Sequence, residues 1–302
     1  MRKALLIAGI ALLGWYASFT WLPAIYARGR LSGRIDSRCS YDLMRASIER
    51  EAGRLGRQDD RAARSRVIQT DGALLLWDTP AGRFWIPRGD SMELARKLAG
   101  RLVDVRWGWI ESTGEVPVRP GDVFIDVGAH VGQSALAALK MGASKVVSIE
   151  PDPENVECMR RNLAGAVQSG QVLIEPIGLW DTPDTLPIIR RAESSQSGVG
   201  PGGDATVRVP LEPLDAVVRR LGLTRVDAIK MDFDDGERHA IRGAAETIRR
   251  FKPRIVVGTY HPDGDLEGVL AEVEAIRRDY AIAPNRCLPF GHRVFPDQLY
   301  FH

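Results

Sequence analysis

Val123-Phe124-Ile125-Asp126-Val127-Gly128-Ala129-His130-Val131-Gly132 is the stretch on which the reading of this chain turns. Its first half is a short apolar run interrupted by one carboxylate, the pattern of a buried strand, and the helical pattern of the next element begins at Gln133. Glycines at that junction permit a tight turn and let backbone N–H groups approach a ligand closely. The spacing is Asp-x-Gly-x-x-x-Gly, not the Gly-x-Gly-x-x-Gly that seats a dinucleotide pyrophosphate. Asp126, just before the turn, adds negative charge, which suits a cationic amino group or a sulfonium better than a phosphate.

Glu150 closes the next apolar run, 24 residues after Asp126, where a carboxylate can accept hydrogen bonds from ribose hydroxyls. Its competing role, capping the helix opened by Pro151-Asp152-Pro153, falls better to Asp152. Glycine turn and strand-end carboxylate together predict S-adenosylmethionine as cofactor, with Asp126, Gly128, Ala129, Gly132, Gln133, Glu150 and Pro151 around it. An NAD(P)-dependent enzyme is the alternative that a nicotinamide-binding measurement decides.

Outward from this stretch, strand-like runs at Val123–Val127, Lys145–Ile149, Val172–Pro176, Ala228–Met231 and Ile255–Thr259 alternate with helical patterns. The helical patterns lie near Gln133–Lys140, Pro153–Ala166, Leu214–Leu221, Glu237–Arg250 and Leu266–Arg278. Such alternation predicts an α/β fold with a mostly parallel, doubly wound sheet. Tyr280–Pro284 and Gln298–Phe301 follow one another without a helix between them, which predicts an antiparallel C-terminal edge pair. Upstream, Val67–Thr70, Ala73–Trp77 and Arg83–Ile86 read as a small β-meander and Met92–Val103 as a helix. Glu193–Gly203, rich in Ser and Gly, reads as a loop.

From Gly121 to His261 the chain resembles the FkbM family of methyltransferases. Gly121 to Gly132 looks like the family's first motif and Ser148-Ile149-Glu150-Pro151-Asp152-Pro153-Glu154-Asn155 like its second. Val209 to Asp215 resembles the approach to a fourth strand, and Ile229-Lys230-Met231-Asp232 the end of that strand. The resemblance implies a Rossmann-like class I methyltransferase fold, S-adenosylmethionine as methyl donor and transfer mostly to oxygen. It also places the adenine near Pro176-Ile177-Gly178-Leu179-Trp180, with Trp180 either stacked on it or part of the core. One departure concerns the acceptor side: the family's Lys-Ile-Asp-Val-Glu-Gly-Ala-Glu reads Lys230-Met231-Asp232-Phe233-Asp234-Asp235-Gly236-Glu237 here. A decayed active site, and with it a binding or scaffolding protein, is the alternative which that change raises.

Methyl transfer to a hydroxyl needs the acceptor oxygen held in line with the methyl group and its proton removed. Asp232, at the carboxyl end of a central strand, is the first candidate for contact with cofactor or acceptor, and Asp234 the second. His261, ending the next strand, has the intrinsic affinity for a proton that a base near neutral pH requires, although a lone histidine is more often structural. His130 shapes the turn, while His239, His292 and His302 receive no role. Asp232, Asp234 and Asp235 could hold magnesium, but a solvated acidic surface explains them more simply, and no metal is expected.

Ala4 to Ala27 contains no charged residue and is long enough to cross a bilayer as a helix. Trp15, Tyr16, Trp21 and Tyr26 lie in its second half, as expected of rings at a lipid boundary. A single-pass membrane anchor is therefore expected, with a cleaved secretory signal as the alternative because Arg2 and Lys3 precede the apolar run. Use of S-adenosylmethionine would orient the catalytic domain toward the cytoplasm. Arg28 to Arg66 carries a surplus of basic residues suited to anionic headgroups, or equally to an amphipathic helix packed on the domain. The expected division is residues 1–30 as anchor, 31–118 as a basic helix and small α+β preface, and 119–302 as the methyltransferase domain. A net charge of +2 over 302 residues gives no electrostatic case for nucleic acid. Cys39, Cys158 and Cys287 lie far apart, so no disulfide framework is expected and a reducing compartment fits. Anchoring beside lipid would suggest a hydroxyl on a glycan, a lipid or a small molecule as acceptor.

Overall fold

A computed structural model describes residues 23–24, 26–80, 82–88, 118–190, 197–199, 208–233, 236–259, 266–290 and 293–302. Its centre is a seven-stranded sheet built from β4 (Val123–Val127), β5 (Lys145–Ile149), β6 (Val172–Glu175), β11 (Ala228–Met231), β12 (Arg254–Gly258), β13 (Ile282–Pro284) and β16 (Gln298–Phe301). The strand order is β13-β16-β12-β11-β4-β5-β6, with β16 antiparallel to both of its neighbours. The five strands from β12 to β6 pair in parallel.

Parallel strands buried on both faces need apolar side chains in both directions, and β4, buried along its whole length, supplies them at every position but Asp126. One face carries Ile125, Val127, Val147, Ile149, Ile229, Met231, Ile255 and Val257. It is covered by α5 (Leu214–Arg220), α6 (Glu237–Gly243), α7 (Ala245–Phe251) and α8 (Leu266–Ile276), which contribute Leu214, Ile241, Ile248 and Val269 to the same core. The opposite face carries Phe124, Val146, Ala228 and Val256 and is covered by α2 (Gln133–Lys140) and α3 (Pro153–Asn162) through Ala135, Ala138 and Met159. From β4 the chain therefore winds one way to β5 and β6, then returns to β11 and β12 with its helices on the other face. That reversal between β4 and β11 opens a crevice at their carboxyl ends, the place where ligands of open α/β sheets bind.

Two smaller sheets flank this core. After β6 the chain forms β7 (Gly178–Leu179), β8 (Asp184–Arg190), β9 (Ser197–Val199) and β10 (Arg208–Glu212), ordered β7-β10-β8-β9. Ahead of the core, β1 (Arg66–Asp71), β2 (Leu74–Thr79) and β3 (Gly82–Pro87) form an antiparallel sheet. Trp77, Phe84 and Ile86 of that sheet pack with Val131 and Cys158. Asn162 joins the two units: its Oδ1 accepts from Trp85 N at 2.7 Å, and its Nδ2 donates to Trp85 O at 2.9 Å and Val131 O at 3.0 Å.

The N-terminal expectations require correction. Among the described residues no helix is long and apolar enough to cross a membrane. The expected span 4–27 lies outside the described residues except for Pro23, Ala24, Tyr26 and Ala27. Within it, Tyr26 is held by protein and not by lipid: its hydroxyl donates to Cys39 O at 2.9 Å and its ring meets Tyr41 edge-on at 5.6 Å. A transmembrane helix is therefore not a feature of the described fold, and a single-pass membrane location with a cytoplasm-facing domain has no support from it. The long helix that is described, α1 (Tyr41–Arg64), is charged along its length and buries Met44 and Ser47 against the C-terminal hairpin of β14 (Cys287–Phe290) and β15 (Arg293–Pro296).

The cysteine expectation is corrected as well. Cys39 and Cys287 form a disulfide across a sequence separation of 248 residues, and Cys158 is the one free thiol, buried beneath the small sheet. Spacing along the chain could not reveal the pair because the fold, not the sequence, brings the two ends together. A persistent disulfide also removes the argument for a reducing compartment. The expected helix Met92–Val103 lies outside the described residues.

Candidate active site

The turn after β4 is clamped from two sides. On the β5 side, Gly128 N and Ala129 N both donate to Ile149 O, at 3.0 and 3.1 Å, and His130 N donates to Glu150 Oε2 at 2.8 Å. Gly132 N donates back to Ala129 O at 2.9 Å, so four of the five amides from Gly128 to Gly132, those of 128, 129, 130 and 132, are used internally. On the β11 side, Lys230 Nζ donates to Gly128 O at 2.9 Å and Val127 O at 3.3 Å. Gly128, with φ of 73°, has no room for a side chain: a Cβ there would stand 2.2 Å from Asp232 O. Gly132, with φ of 93°, serves the other face, where a Cβ would stand 2.8 Å from Leu163 and 2.9 Å from Met159.

Glu150 is buried and accepts from His130 N, from Asp152 N at 3.0 Å and from Asn155 Nδ2 at 3.2 Å. Burial pushes its carboxyl up to about 7, against these hydrogen bonds, which favour the charged form. Asp152 caps α3 instead, accepting from Glu154 N at 2.9 Å. The strand-end carboxylate and the glycine turn, expected to converge, thus touch directly.

Below the turn, Lys230, Asp126 and Ser148 occupy one register level across β11, β4 and β5. All three are buried, and Lys230 Nζ stands 3.3 Å from Asp126 Oδ1. Burial drives the Asp126 carboxyl upward, against the pull of Lys230. Burial alone would lower the Lys230 ammonium, but the charges of Asp126, Asp232 and Glu150 outweigh it and raise its proton affinity. Asp126 is therefore the ion-pair partner of Lys230 beneath the turn, with both carboxylate oxygens buried. Lys230 was passed over in the sequence, where a lysine in a strand gives no sign that its amine will turn inward onto a carbonyl.

Asp232, one residue past β11, lies at the mouth of this arrangement, half-buried, and its Oδ1 is buried with no hydrogen-bond partner among the described residues. Its charge adds to the upward shift of Asp297, which burial dominates. Three carboxylates, Asp126, Glu150 and Asp232, thus stand around one lysine. The surplus is negative, and Asp232 Oδ1 and both Asp126 oxygens are buried without a hydrogen-bond partner among the described residues, which fits a cationic ligand carrying hydroxyl or ammonium donors. A pyrophosphate would find four of the five turn amides already engaged.

The other expected residues divide. Gln133 opens α2 and Pro151 follows Glu150, both partly exposed at this edge of the sheet. Gly178 and Leu179 are buried in β7, where Leu179 belongs to the core. Trp180 stacks on His239, with ring centroids 3.7 Å apart, so one face of its ring is taken by protein. His239, given no role from sequence, also bonds Asp181 Oδ2 through Nδ1 at 2.8 Å. Asp234 and His261 lie outside the described residues.

The methyltransferase FkbM domain matches residues 126–280, just over half of the chain. Methyltransferase sdnD from Sordaria araneosa is 25% identical over 194 residues, spanning 53% of this chain and 73% of that protein. The crystal structure of methyltransferase FkbM from Methylobacillus flagellatus is similar at a TM-score of 0.47 and 17% identity, over 88% of this chain and 62% of that one. This chain therefore spans less than two thirds of that solved protein. On the match across its sheet and turn, the chain belongs to the methyltransferase FkbM domain family.

Proposed function

We propose that the chain is a methyltransferase with S-adenosylmethionine as its cofactor and a hydroxyl, on a glycan, a lipid or a small molecule, as the methyl acceptor. The observation that carries this reading is the unpaired Asp232 oxygen amid surplus negative charge, beside a turn four of whose five amides are engaged. The bound cofactor would supply an electrophilic methyl group on a sulfonium. Glu150, whose Oε1 already accepts two hydrogen bonds and whose Oε2 accepts one, keeps acceptor capacity on Oε2 and is our candidate to take a ribose hydroxyl. Asp232, with its unpaired Oδ1, is our candidate to take an ammonium or an acceptor hydroxyl, and Gln133, Pro151 and the turn 128–132 are our candidates to line the crevice. Asp234, Trp180 and His261 keep their sequence-based roles as candidates, His261 as the base that removes the acceptor proton.

Calorimetry on the full chain tests the cofactor. Saturable binding of S-adenosylmethionine, weakened at least about tenfold by Glu150→Ala, is the expected result. Binding of reduced NAD(P) in its place would give the chain to the oxidoreductases, and binding of neither would make it a scaffold.

A further inference from the structure

We propose that Lys230 is a positioning residue whose task is to hold the Gly128 peptide, so that the crevice is preformed for its ligand. The proposal rests on the cofactor reading above and concerns what shapes the site, not what the site binds. Two roles compete for a buried lysine in this place: counter-ion to Asp126, or anchor of the turn. Geometry distinguishes them. The Nζ–Oδ1 separation to Asp126 is 3.3 Å, whereas the bond to Gly128 O is 2.9 Å and a second carbonyl, Val127 O, is bonded at 3.3 Å. An ammonium has three donors, and two of them are spent on consecutive carbonyls of the turn.

The peptide between Gly128 and Ala129 is thereby gripped at both ends, its oxygen by Lys230 and its N–H by Ile149 O. Glycine makes this grip necessary, because a residue free to occupy both signs of φ defends its conformation poorly. The grip also sets the gap across the crevice. Lys230 and Asp232 are next neighbours but one on the same segment, and Gly128 already packs against Asp232 O as closely as a glycine can. Fixing Gly128 to Lys230 therefore fixes the distance from the turn to the unpaired Asp232 oxygen. Glu150 clamps the turn from the β5 side; on the β11 side Asp232 N reaches Val127 O at 3.3 Å, and Lys230 supplies the bond to Gly128 O.

The test compares Lys230→Met with the double variant Asp126→Asn/Lys230→Met by calorimetry with S-adenosylmethionine and S-adenosylhomocysteine, and by thermal unfolding. Lys230→Met leaves Asp126 buried without a partner and is expected to be less stable, while the double variant removes the charge problem and regains stability. Both are expected to bind S-adenosylmethionine roughly 10- to 100-fold more weakly, with a parallel loss for the uncharged S-adenosylhomocysteine. Faster amide exchange at residues 128–130 should accompany the loss. A double variant that binds within about twofold of the parent protein reduces Lys230 to a counter-ion and overturns the proposal. A loss confined to the sulfonium ligand overturns it too, since that is a charge effect. If Lys230→Met does not fold, the double variant carries the comparison, and Lys230→Gln, which keeps a shorter donor, should lie between it and the parent. Failure of the parent protein to bind either ligand would strike the cofactor reading, a result separate from all of these.

Discussion

At Gly128 the backbone has φ of 73° and passes so close to Asp232 O that even a methyl group would overlap it. Gly128→Ala should therefore lose stability by strain alone on the order of 1–3 kcal/mol, before any cost of moving β11 away. Loss of ligand binding should accompany it. Unfolding in urea measures the first and calorimetry the second, and an unaltered midpoint would contradict the described packing. Glu150 offers a prediction in pH. Its folded value near 7 exceeds the ordinary 4.5, so the stability it contributes is full at low pH and is lost as pH rises through about 7. Ribose hydroxyls donate to the charged form, so affinity for S-adenosylmethionine should move the opposite way, rising by up to about tenfold from pH 6 to pH 8. Glu150→Gln should flatten that profile; a flat profile in the parent protein would remove Glu150 from the ligand contact. Residue types at this scale were only partly legible. Glu150 and the glycines declare themselves by spacing, but Asp126 and Lys230 exchange a contact across two strands that are 104 residues apart in sequence, which no local pattern encodes.

Between elements, the same argument applies to Asn162 at the end of α3. One side chain there satisfies both backbone groups of Trp85 and the carbonyl of Val131, and so ties the small antiparallel sheet to the residues beside the turn. Asn162→Ala leaves these groups unpaired at a part-buried junction and should cost about 2–3 kcal/mol. Hydrogen exchange should localise the loosening to β3 and the turn; exchange unchanged at Trp85 would show that the sheet docks without Asn162. Strands β4, β5, β11 and β16 match their sequence boundaries because each is a short, mostly apolar run between breaks. The helices expected at Pro153–Ala166 and Glu237–Arg250 are each divided, at Leu163 and Ala244. In the second case Gly243 presses on Trp180 O, where a Cβ would stand 2.1 Å away, so tertiary contact and not local propensity ends α6. The sheet of β7 to β10 and the β14–β15 hairpin escaped notice because Pro187, Pro210, Pro289 and Pro296 interrupt the strand pattern, and proline in a run argues against a strand.

For the molecule as a whole, the decisive contact joins its two ends. Cys39 and Cys287 are bridged, Cys287 N donates to Ser47 Oγ at 3.0 Å, and Asp36 N and Val294 N exchange bonds with Val294 O and Arg34 O at 2.9 and 2.8 Å. The segment that the sequence suggested would lie against lipid is thus strapped onto the C-terminal hairpin over its described part. Closing so long a loop restricts the unfolded chain, and removal of the bridge should cost ~2–5 kcal/mol. Cys39→Ser/Cys287→Ser, or the parent protein with reductant, should accordingly unfold at lower denaturant concentration. Among the described residues the bridge, the Ser47 bond and the Asp36–Val294 pair tie the strap to the hairpin, so exchange should quicken at residues 34–48 and 286–296 while β4 and β5 stay protected and affinity for S-adenosylmethionine is kept. If affinity instead fell in step with stability, the two ends of the chain would have to be coupled to the crevice through β16 and β12, the strands that run from the hairpin to β11.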